Sequence, residues 1–79
     1  MSNELKLKEV FKNIFQIETS SINDETSVDT IEKWDSLKHL NLVLALEEAF
    51  NITFTEEESV EIMSYPLVKA VLGDHGISF

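Results

Sequence analysis

A helical hydrophobic period appears twice, and the stretch between has none. In NELKLKEVFKNIF, the apolar residues Leu7, Val10, Phe11 and Ile14 recur at i, i+3, i+4 and i+7, the spacing of one face of an α-helix. The run SLKHLNLVLALEEAF, residues 36–50, is again amphipathic. Between them, from Gln16 to Asp35, the chain is rich in Ser, Thr, Asn, Asp and Glu and shows no period. Loops this long are uncommon in compact domains and are often functional. Ile17, Ile22, Val28, Ile31 and Trp34 punctuate this one, which predicts a loop pinned to a core.

Two shorter helices come next. In TFTEEESVEIMS, Thr55 with Glu58 three residues later forms a capping box, and Glu56, Glu57 and Glu58 suit the positive end of a helix dipole. In SYPLVKAVLGDHG, Ser64 can cap, Pro66 is tolerated in a first turn, and Leu67, Val68, Val71 and Leu72 form an apolar face. Gly73 reads as the stop. No β alternation competes. The expectation is one all-α domain over residues 1–79, with helices at about 3–15, 36–50, 56–62 and 65–73 and a tail at 74–79. Ser2 or Asn3 would cap the first helix.

Such a small chain buries only about 60% of its unfolded surface, so its core must be economical. On a wheel of 100° steps, Leu42, Val43, Leu46, Ala49 and Phe50 fall on the core side of the second predicted helix. Lys38, Asn41, Ala45 and Glu48 lie opposite, and Leu37, Leu40 and Leu44 border the polar side. The apolar arc is wider than packing on one neighbour requires, so the helix is either central or keeps a strip for a partner.

Acidic residues number 15 against 6 basic ones, for a net charge of -9. That field repels nucleic acid and anionic membranes and favours a partner with a basic patch. No cysteine is present, so no disulfide framework or thiolate metal site is expected. No apolar run approaches a bilayer span, and the default expectation is a cytoplasmic monomer.

Most chemical motifs fail. His39 has Leu42 and Val43 at i+3 and i+4, so no second zinc ligand stands within reach on its helix, and it reads as a surface or boundary histidine. NDETSVDTIEKW lacks the central Gly and alternating carboxylates of a calcium loop. Both glycines lie near the C-terminus, which leaves no phosphate loop. Ser36 remains, at the mouth of the second helix. It has no evident general base or oxyanion hole and is a poor nucleophile by itself. It could serve as an N-cap, or as a modification site where a phosphate would meet the helix dipole.

The segment WDSLKHLNLVLALEEAF resembles the modification site and recognition helix of acyl carrier proteins, whose signature Asp-Ser-Leu stands here as Asp35-Ser36-Leu37. LVLALEEAFNI is similar to the continuation of that helix in the family, and FTEEESVEI is similar to the family's acidic third helix. The resemblance runs from about Asn3 to about Gly73. It implies a four-helix bundle of acyl carrier type, with a long first connection and a short third helix. It also implies a non-enzymatic carrier. A phosphopantetheinyl transferase, with a divalent metal, would attach 4'-phosphopantetheine from coenzyme A to Ser36, the hydroxyl attacking a phosphorus. The arm's thiol would hold an acyl or aminoacyl group as a thioester. Asp35 and Leu37 would flank the attachment point. Leu37, Leu40, Asn41, Leu44, Glu47 and Glu48 would meet the transferase, the loading enzyme and a downstream synthase or transferase.

Trp34, Lys38-His39 and Asn41 depart from the carriers of fatty-acid synthesis, which have a small residue before the aspartate and acidic residues along the start of this helix. A specialised pathway is therefore expected, such as polyketide, nonribosomal peptide or lipid-modified sugar synthesis, or amino-acid activation. Positions matching the interior of carriers that hide their cargo are Val28, Leu46, Phe54, Ser59 and Ile62. The bulk of Phe54 and the polarity of Ser59 predict short acyl or aminoacyl cargo. Two rivals stand: an aminoacyl or peptidyl carrier, and an acidic helical adaptor binding through Leu37, Leu40 and Leu44 with Ser36 merely a helix cap.

Overall fold

The computed structural model describes residues 2–79. Its α-helices are α1 (Asn3–Phe15), α2 (Ser36–Phe50), α3 (Glu56–Glu61) and α4 (Tyr65–Asp74), with no strand among the described residues. Each start has a side-chain cap of the kind that satisfies orphan N–H groups. Ser2 accepts from the Leu5 N–H, Asp35 from Lys38, Thr55 from Glu58 and Ser64 from Leu67. The capping box of α3 is complete: Thr55 Oγ1 accepts from the Glu58 N–H at 3.1 Å, and Glu58 Oε1 accepts from the Thr55 N–H at 2.9 Å. Helices α1 and α2 end on Gln16 and Asn51, both left-handed at φ 56° and 54°.

Two expected ends move. α3 stops one residue short of Ile62. Gly73 does not stop α4, which continues through Asp74, while Gly76 supplies the positive φ of 86°. Residues beyond α4 are docked: the Ile77 N–H donates to Leu72 at 3.1 Å, Asn3 Nδ2 donates to the Ser78 carbonyl at 2.9 Å, and Phe79 meets Phe50 edge to face.

An aromatic cluster fills the interior. Phe11 meets Tyr65 and Trp34 edge-on at 5.4 and 5.8 Å between centroids, and Phe15 lies 4.9 Å from Trp34. Leu7, Leu42, Leu46, Ile62, Val68 and Leu72 complete the fully buried set. Val43, Ala49 and Phe50 are only half-buried, and Leu67 of α4 is exposed rather than core-facing.

The long connection is pinned, and its polar residues explain how. Ile22, Thr26, Ile31 and Trp34 are buried. A 3₁₀ turn at Thr19–Ser21, which the sequence pattern does not signal, opens it. Asn23 Oδ1 accepts from the Glu25 N–H at 2.8 Å, Thr26 Oγ1 from Asn23 at 2.9 Å, and Thr30 Oγ1 from Ser27 at 2.7 Å. Short polar side chains thus stand in for the ladder a helix would provide. The connection then crosses to the α3–α4 link: the Val28 N–H donates to Met63 at 3.0 Å and the Tyr65 N–H to Thr26 at 2.8 Å.

Candidate functional site

Asp35 and Ser36 divide the work at the start of α2. Asp35 is the N-cap, extended at φ -103°, with Oδ1 accepting from the Lys38 N–H at 2.8 Å. Ser36 is the first helical residue and is exposed. The cap reading of Ser36 is therefore corrected. An N-cap oxygen must precede the first turn to reach N2 or N3, and the side chain at that position is aspartate. The serine hydroxyl stands at the positive end of a fifteen-residue helix without a capping duty.

Beside Ser36 lies an open cleft of about 480 Å³, lined by Val28, Trp34, Asp35, Ser36, His39, Val60 and Met63. The long connection supplies one wall, the first turn of α2 another, and α3 with the residues just after it the third. Phe54 and Ser59 do not line it. Phe54 is buried against His75 instead, ring edge to ring face at 5.7 Å. Ser59 turns its hydroxyl back onto the Glu56 carbonyl at 2.8 Å. Leu46 and Ile62 are packed solid. Of the five expected interior positions, only Val28 reaches the cleft.

Leu37, Leu40 and Leu44 are exposed at 65%, 54% and 55%. They share one face of α2 with half-buried Asn41 and exposed Glu48. Glu47 departs from this face: its carboxylate turns inward, with Oε2 accepting from the Phe54 N–H at 2.8 Å. It ties the α2–α3 turn and is not a free charge on the surface. Val60 and Met63 extend exposed apolar surface along α3 and its C-terminal end. Only the place of Val60 among four acids could have flagged that residue in the sequence.

His39 is more than a boundary residue. Its Nδ1 accepts from Trp34 Nε1–H at 3.0 Å, and its other nitrogen, Nε2, lies 2.6 Å from the Ser59 carbonyl. The indole can only donate and the carbonyl can only accept, so in this arrangement Nδ1 is the accepting nitrogen and Nε2 the donating one. His75 also reaches α3, with Nε2 3.0 Å from Glu58 Oε2. The Glu58 carboxyl is held below the ordinary range, first by the Thr55 N–H and further by His75, while burial opposes both. Burial, reinforced by Glu4, pushes the Tyr65 hydroxyl well above its usual value. No group of three or more metal-ligating side chains occurs among the described residues, and no helix there is long and apolar enough to cross a membrane.

The residues fit a covalently attached phosphodiester. The hydroxyl is exposed and free of capping duty, and backbone N–H groups at the helix end favour an anion. No family model and no curated protein matches the chain.

Proposed function

We propose that the chain is an acyl carrier protein of a specialised biosynthetic pathway, carrying an acyl or aminoacyl group as a thioester on a 4'-phosphopantetheine arm at Ser36. The observation that carries this reading is the division of labour between Asp35 and Ser36. Asp35 caps α2, which leaves an exposed serine hydroxyl at the helix N-terminus beside an apolar cleft. Four helices with no strand among the described residues support the reading at the level of a small helical bundle, and the resemblance around Asp35-Ser36-Leu37 supplies the rest. The adaptor reading made Ser36 a cap and loses that premise.

In this reading the chain supplies no catalytic group. Ser36 Oγ bonds to the phosphorus bearing the pantetheine group of coenzyme A. The phosphoanhydride bond breaks, adenosine bisphosphate leaves, and a phosphopantetheinyl transferase takes the serine proton. When bound, the arm supplies the thiol that this cysteine-free chain lacks. Leu37, Leu40 and Leu44 provide apolar contact for the transferase, loading enzyme and downstream synthase, and Glu48 provides charge steering. Glu47 is occupied with Phe54 and adds only to the background field. An aminoacyl or peptidyl carrier would use the same residues and differ only in cargo.

The test is a thiol titration after incubation with coenzyme A and a broad-specificity transferase. Since the polypeptide has no cysteine, any thiol belongs to the arm. Stoichiometric thiol on the purified protein is expected, and its absence would refute the reading.

A further inference from the structure

Trp34 faces two ways. It lines the cleft beside Ser36, yet it is only 5% exposed and packs on Phe11 and Phe15. Its indole is thus the partition between the cleft and the aromatic interior. His39 holds that partition in place. Its ring lies nearly parallel to the indole, 22° between planes and 6.1 Å between centroids. One nitrogen accepts from the indole N–H, and the other donates its N–H to the Ser59 carbonyl on α3. The pair therefore ties three elements across the same wall: the long connection, α2 and α3. Moving the indole aside would cost its hydrogen bond to His39 and its packing on two phenylalanines, while the bond from His39 to Ser59 keeps the imidazole in place.

The geometry points to Trp34 and His39 as a bolt that closes the Ser36 cleft off from the core, confining cargo to groups that stay outside the helical interior. This rests on the carrier reading and sharpens it. Cargo size is set by this pair, not by the Phe54 and Ser59 side chains, which do not line the cleft. A short acyl or aminoacyl group fits the cleft or projects into solvent. A long alkyl chain finds its way inward blocked by a hydrogen-bonded aromatic wall. The apolar lining of Val28, Val60 and Met63 still offers the arm a surface to rest on.

The test uses Ser36→Cys, which makes the only thiol in the chain. Methyl, hexyl and decyl methanethiosulfonates each attach an alkyl group: the thiolate attacks the sulfenyl sulfur, a disulfide forms, and methanesulfinate leaves. No transferase is involved, so the outcome is independent of the carrier reading, which fails separately if native Ser36 accepts no phosphopantetheine. The single tryptophan gives one indole N–H resonance. With Trp34 and His39 intact, its protection from hydrogen exchange should be equal for all three adducts, and the melting temperature should not climb with chain length. With Trp34→Leu or His39→Leu added, the melting temperature should climb from methyl to hexyl to decyl. A uniform loss of stability in these variants, without that dependence on length, would mean only a packing role and would overturn the proposal. So would indole protection that falls as the chain lengthens on the intact bolt, a readout that needs neither variant to fold.

Discussion

Leu42 and Leu46 lie on α2 within three turns of Leu37, Leu40 and Leu44, yet the first two are wholly buried and the other three are more than half exposed. The residue type and the helix are the same, so the difference lies in what each face meets. The inner leucines pack with Leu7, Phe11 and Ile62 in one core. Burying such a side chain contributes about 1.5–3 kcal/mol, a large share of the net stability of about 5 kcal/mol expected at the low end for so small a domain. The outer leucines gain no such stabilisation within the chain. One helix thus separates a buried face from an exposed apolar one, and Ser36 stands at the end where the exposed face begins, the face that meets partners in the proposed function.

Truncation breaks or sharpens this contrast most strongly. Leu46→Ala should cost about 2–5 kcal/mol, enough to leave much of the population unfolded by denaturant titration. Leu37→Ala should change stability by about 0.5 kcal/mol or less, while slowing modification at Ser36. Glu48→Lys should slow it too, more at low salt than at high salt. Equal stability losses at Leu46 and Leu37 would remove the division between faces.

At the helix start the same logic separates neighbours. Asp35→Ala should cost about 1 kcal/mol through loss of the cap, whereas Ser36→Ala should leave the melting temperature nearly unchanged. A larger loss for Ser36→Ala would return the capping role to the serine.

The smallest effect concerns acid. The folded-state pKa of Glu58 is lowered, so its contribution to stability is present above the ordinary glutamate pKa of about 4.3. That contribution is lost as pH falls through the folded value. Thermal melts should therefore show a steeper decline below about pH 4.5 than the same melts of Glu58→Gln. Parallel curves would mean that the Thr55 N–H and His75 do not favour the carboxylate.

The helices were legible because their signals are local: apolar spacing in Leu7–Ile14, caps at Ser64 and Thr55, and a serine after an aspartate. The exposed leucine strip could also be read, since Leu37, Leu40 and Leu44 exceed what one packing face needs. What escaped the sequence is long-range. Nothing near Glu47 announces that its carboxylate will take the Phe54 N–H. His39 looked inert because its helix offers no second ligand, yet its partners are an indole five residues back and a carbonyl twenty residues on. Phe54 is buried in the core, as an interior position requires, but nothing in its surroundings in the sequence announces that its ring will meet His75 edge to face. Only the fold, which joins Trp34 through His39 to Ser59 of α3, reveals that Trp34 lines the cleft.

The central claim is that Ser36 carries the arm, and intact mass after incubation with coenzyme A and a broad-specificity phosphopantetheinyl transferase tests it most directly. The wild type should gain the mass of one phosphopantetheine, and Ser36→Ala should gain nothing while remaining folded. No gain in the wild type, or an equal gain in Ser36→Ala, would contradict the account.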